Sequence, residues 1–82
     1  MPDPTAGWVL YVRDGCHLCD EFLLELGLDL GLSSEALHVV RVDDDPALAA
    51  RYGLRVPVLE VGGSAVCEGR YDASRVRRAL RV

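Results

Sequence analysis

Trp8-Val9-Leu10-Tyr11-Val12-Arg13-Asp14-Gly15-Cys16-His17-Leu18-Cys19 changes its hydrophobic period halfway, and that change decides the fold. Trp8 to Val12 is an unbroken apolar, β-branched and aromatic run, the pattern of a strand covered on both faces. Arg13-Asp14-Gly15 ends it with turn-forming residues. From Leu18 onward the apolar residues recur every four positions, at Leu18, Phe22 and Leu26, with Leu23 and Leu30 beside them. Asp20, Glu21 and Glu25 occupy other faces, so the spacing predicts an amphipathic helix opening near Cys16 to Cys19. Gly27 and Gly31 weaken its far end and predict fraying between them.

Working outward, His38 to Val42 reads as a second strand. Asp45-Pro46 is a capping residue followed by proline at the first helical position, predicting a short helix from Pro46 to Tyr52 with Gly53 as its stop. Val56 to Val61 reads as a third strand whose early proline belongs at its start or edge. Gly62-Gly63 is a hairpin signal, and Ser64 to Cys67 returns as the fourth strand. Asp72 can cap a last helix from Ala73 to about Arg81, with Val76, Ala79 and Leu80 inward. The order is βαβαββα, in one domain spanning 1–82. A helical crossover makes the first two strands parallel.

The bulk properties exclude several classes. Thirteen acidic residues outnumber nine basic ones, for a net charge of −4. All the basic residues are arginine, in no run. Nucleic acid and anionic membrane both call for basic footprints, so neither is an expected partner. Apolar stretches of about five residues are far too short to span a bilayer. The start lacks a secretory pattern, and a cytoplasmic monomer is expected. Three cysteines, an odd number, make a poor disulfide framework, whereas Cys16-His17-Leu18-Cys19 beside a βαβ pattern reads as a redox motif.

At this point a resemblance becomes explicit. A strand, a C-x-x-C opening a helix, and Val56-Pro57 at the start of the hairpin resemble the thioredoxin fold in its minimal, glutaredoxin-type form. Tyr11 to Asp20 and Tyr52 to Leu59 are similar to a small bacterial family of glutaredoxin-like proteins of unassigned role, and the likeness runs from about Trp8 to Leu80. It implies an α/β architecture with a mixed four-stranded sheet and helices on both faces, and a thiol–disulfide oxidoreductase. The implied substrates are protein disulfides or glutathione mixed disulfides, with no tightly bound cofactor and glutathione as a candidate co-substrate.

The chemistry of the residues points the same way. A helix N-terminus lowers a thiol pKa through its partial positive charge and free N–H groups. Cys16 would stand there as the nucleophile, its pKa lowered below the free value. Cys19, one turn further in, would resolve the mixed disulfide. Arg13 and a protonated His17 favour the thiolate, while Asp14, Asp20 and Glu21 oppose it. The resemblance further implies a cis Val56–Pro57 peptide, with the backbone N–H and C=O of Val56 pairing to an extended substrate. It also implies that Arg13, Arg55, Gly69 and Asp72 help to bind glutathione, although Glu68-Gly69-Arg70-Tyr71-Asp72 departs from the usual paired glycines. Counting back from the Gly62-Gly63 turn places Cys67 opposite Val58, at the dithiol end of the sheet, as an auxiliary thiol or a buried, inert one. Zinc on Cys16, His17, Cys19, His38 and Cys67 lacks the second ligand pair of a structural site, so no metal is expected. The rival from another class is a non-catalytic thioredoxin-fold module that binds a protein partner or an iron–sulfur centre.

Overall fold

The computed structural model describes residues 7–31 and 37–80. Its elements run β1 (Trp8–Val12), α1 (His17–Leu30), β2 (His38–Arg41), α2 (Pro46–Tyr52), β3 (Val58–Val61), β4 (Ser64–Glu68) and α3 (Ala73–Leu80). A single 3₁₀ turn, Val42–Asp44, leads into α2. The four strands form one sheet in the order β2-β1-β3-β4, with β1 parallel to β2 and the other pairings antiparallel. This is the mixed α/β sheet expected of a glutaredoxin-type thioredoxin fold.

Alternation along the strands divides the interior in two. Leu10 and Leu59 face α1 and α3, where Phe22, Leu26 and Val76 complete the larger core cluster. Val58 and Tyr11 face the opposite way, against Tyr52 and Leu48 of α2 and Val42 of the 3₁₀ turn. Helices therefore cover both faces. In β1, Trp8 and Leu10 are buried while Val9, Tyr11 and Val12 are only half-buried, so one face is closed more tightly than an unbroken apolar run suggests. Trp8 lies opposite Val61, at the end of β1 remote from the cysteines.

Local signals set several boundaries. Asp45 caps α2 by accepting from the Ala47 N–H at 2.9 Å, with Pro46 at the first helical position. Asp72 accepts from the Arg75 N–H at 3.2 Å at the head of α3. Other boundaries differ from expectation. The first helix does not fray after Gly27: it continues to Leu30 and stops at Gly31, whose φ of +67° is left-handed and whose N–H returns to the Gly27 carbonyl. β2 ends at Arg41, because Val42 turns into the second core cluster. β3 begins at Val58, two residues later than expected: the Val56 N–H is donated to the Tyr52 carbonyl, and Pro57 has no N–H to give a ladder. In α3, Val76 is fully buried but Leu80 is 37% exposed rather than inward.

Two corrections bear on the site. The hairpin begins as expected, with Val61 opposite Ser64, but an irregularity between Leu59 and Glu60 shifts the register by one residue. Cys67 therefore faces Leu59, and Val58 faces Glu68. The extra residue of a bulge turns the following side chains to the other face, and Cys67 enters the larger core cluster. Gly53 stops α2 in right-handed conformation, φ −54°. Its need for glycine is steric: a Cβ there would lie 2.4 Å from the Ala49 carbonyl oxygen.

Candidate functional site

The register brings four chain segments to one end of the sheet. Val12 pairs with Arg41 and Tyr11 with Val58, which in turn pairs with Glu68. The cysteine loop, the 3₁₀ turn, the Arg55–Pro57 segment and the Gly69–Asp72 turn all leave from that end.

Cys16 is the N-cap of α1 and half-buried; Cys19 is buried at 3% exposure one turn along. Their Cα atoms are 5.2 Å apart and the pair stands as a disulfide. That separation falls within the roughly 4.4–6.8 Å that a bridge spans without backbone movement. The Cys16 Sγ accepts from the Cys19 backbone N–H at 3.0 Å. An N-cap sulfur thus takes the role usually filled by a serine or aspartate oxygen, at the end of the helix where negative charge is favoured.

The charged neighbours form reciprocal pairs. Arg13 holds Asp43 through Nε at 3.2 Å and Nη2 at 2.9 Å, and its Nη1 donates to the Gly53 carbonyl at 3.1 Å. The hydrogen bond to Asp43 raises the Arg13 pKa, and the same bond holds the Asp43 carboxyl below its ordinary range. Arg41 pairs with Asp14. Arg55 grips Glu68 through Nε at 3.0 Å and Nη2 at 2.8 Å, with its guanidinium over the Tyr52 ring. His17 projects into solvent and pairs with Glu21 at 3.0 Å rather than turning toward the sulfurs.

The Val56–Pro57 peptide is cis. The Val56 N–H is taken by Tyr52, so the notion that both backbone groups of Val56 stand ready for a partner strand is corrected. Gly69, with φ +78°, donates its N–H to the Pro57 carbonyl at 2.8 Å and ties the last turn to this segment. Asp72 is engaged as the cap of α3. Cys67 is buried, its S–H donating to the Arg70 carbonyl at 2.9 Å, and burial pushes its thiol pKa up. Among the described residues no three His, Cys, Asp or Glu side chains are placed to hold a metal ion.

Three features of this end escaped the sequence reading. Asp43 and Glu68 are the partners of Arg13 and Arg55. The Asp43 pairing had a signal: the parallel β1–β2 register sets Arg13-Asp14 beside Arg41 and Asp43, where the charges match crosswise. The third feature is a cleft of about 140 Å³ between α1 and the last turn, lined by Leu18, Glu21, Phe22, Glu25, Gly69, Arg70 and Tyr71.

Comparison with known proteins adds the following. A family model described as "Glutaredoxin-like domain (DUF836)" matches residues 8–81. The X-ray structure of target protein XcR50 from X. campestris is 40% identical over 90% of this chain and 95% of that one, with a TM-score of 0.69. The solution structure of the same target is 39% identical, covers 92% of each chain and superposes with a TM-score of 0.72. No curated protein matches the chain.

Proposed function

The chain belongs to the family of glutaredoxin-like domains, and we propose that it is a dithiol–disulfide oxidoreductase acting on protein disulfides or glutathione mixed disulfides. The observation that carries this reading is the asymmetry of the pair: Cys16 half-buried at the helix N-terminus with an N–H on its sulfur, Cys19 buried beneath it.

In the reduced protein the Cys16 thiolate attacks one sulfur of the substrate disulfide. A Cys16–substrate disulfide forms, and the other substrate sulfur leaves as a thiolate that takes up a proton. Cys19 then loses its proton and attacks the Cys16 sulfur, forming the Cys16–Cys19 bridge and releasing the second substrate thiol. Two electrons pass from the dithiol to the substrate, and an external thiol or dithiol returns them. The partial positive charge and free N–H groups of the helix N-terminus favour the thiolate form of Cys16. Cys67, raised in pKa and enclosed, stays outside the exchange.

The test is intact-mass analysis after equilibration across a graded glutathione redox buffer, with free thiols trapped by alkylation. A reversible Cys16–Cys19 bridge is expected. Cys16→Ser should abolish reductase activity and Cys19→Ser should accumulate a mixed disulfide. Three thiols that stay reduced and unmodified throughout would overturn the reading in favour of a non-catalytic binding module.

A further inference from the structure

Three arginines that reach the dithiol end are engaged by carboxylates of the chain itself: Arg13 by Asp43, Arg41 by Asp14, Arg55 by Glu68. Glutathione is a net anion with a carboxylate at each end, and its recognition calls for cations or clustered donors at both. Here three of the guanidiniums are already neutralised, and the remaining one, Arg70, lines a cleft with two carboxylates.

The cleft along α1, which begins at Leu18, two residues after Cys16, has the opposite character. Its lining is largely polar, with Glu21, Glu25 and Arg70 beside the apolar surface of Leu18 and Tyr71. Glu21 also pairs with His17; with histidine counted as neutral, two carboxylates against one guanidinium leave the cleft net negative. Glu25 and Asp20 have no ion-pair partner among the described residues. Leu18 is 39% exposed in the first turn of α1, and Leu54 is wholly exposed in the loop that leads to Pro57.

Resting on the oxidoreductase reading, we propose that the substrate is a cysteine in a protein segment with a lysine or arginine beside it, that basic side chain lying in the α1 cleft, and not glutathione. The side chain lays its methylene stem along Leu18 and Tyr71 and brings its charged head to Glu21 and Glu25. Attraction to the net negative cleft speeds encounter with such segments and slows it with anionic thiols.

Three probes test this: a short cysteine peptide flanked by arginines, the same peptide flanked by glutamates, and glutathione, each as its mixed disulfide with 5-thio-2-nitrobenzoate. The reduced protein attacks the probe's sulfur, releases the coloured thiolate, then closes its own bridge and releases the probe thiol. The arginine peptide should react fastest, by about two- to fivefold per uncompensated charge, the range of exposed ion pairs. That lead should shrink at high ionic strength and in the Glu21→Gln/Glu25→Gln variant. Glu68→Gln, which leaves the Arg55 charge uncompensated, should speed the glutathione probe. Glutathione reacting as fast as the arginine peptide, or an order unchanged by salt and by these variants, would overturn the proposal. No release from any probe would instead overturn the oxidoreductase reading, and the proposal with it.

Discussion

The guanidinium of Arg13 donates to the carbonyl of Gly53 at 3.1 Å, across forty residues of sequence, while gripping Asp43 with its other nitrogens. One side chain thereby ties the loop before Cys16 to the 3₁₀ turn and to the end of α2. Arg13 is thus a positioning residue for the loop that carries the dithiol.

Asp43→Asn should lower stability at neutral pH and flatten the acid limb of the unfolding curve. The sign follows from the Asp43 pKa, which the hydrogen bond from Arg13 depresses below the ordinary 3.8. A depressed carboxylate contributes stability above its unfolded pKa and loses it as pH falls through the folded value. The gap between wild type and variant should therefore close below about pH 3.8, which denaturant midpoints measured across the acid range would show.

Gly53→Ala should destabilise, against the usual trend. At a helical φ such a change ordinarily stabilises by about 0.4–1 kcal/mol, because it reduces the freedom of the unfolded chain. Here the new Cβ would lie 2.4 Å from the Ala49 carbonyl oxygen and 3.3 Å from Arg13 Nη1. Displacing backbone costs about 1–3 kcal/mol, read as a lowered thermal midpoint. A raised midpoint would show that the helix end relaxes freely.

Tyr52→Phe should cost about 1–3 kcal/mol, because it removes the donor to a buried carboxylate. The Tyr52 hydroxyl donates to Glu60 Oε2 at 2.7 Å, and Glu60 is only 8% exposed. Replacing both partners, as Tyr52→Phe with Glu60→Met, should recover much of the loss, since no polar group is then stranded. The hydrogen bond to Glu60 and burial push the Tyr52 pKa up to about 12. A raised pKa contributes stability that is whole below the unfolded value of 10.0 and lost as pH rises through about 12. Wild type should weaken over that window, and Tyr52→Phe should lack this component of the loss.

What was legible in the sequence is what depends on near neighbours. Asp45 and Pro46 mark the start of α2 because a cap and a proline act within one turn, and Gly62-Gly63 marks the hairpin for the same reason. The bulge was not legible: it depends on Cys67 finding room against Leu59 and α3, a choice made by packing across the sheet. Glu60 in an apolar strand reads as a surface residue until Tyr52, eight positions away, is seen to meet it. Of the site, the cysteine spacing and its place at a strand-to-helix junction were readable. The Asp43 partner of Arg13 could have been found only by extending the parallel β1–β2 register past Val12 and Arg41, and the Glu68 partner of Arg55 not at all, because an ion pair between separate loops leaves no periodic trace.

Trp8 gives the molecule a built-in optical reporter. It is the sole tryptophan, 3% exposed, and sits opposite Val61, so that the length of β1, about 13 Å at some 3.3 Å per residue, separates it from the cysteine loop. Disulfides quench indole emission only at close range. Its fluorescence should therefore follow global unfolding while staying nearly silent to the redox state of the dithiol, and the two equilibria can be followed independently in one sample.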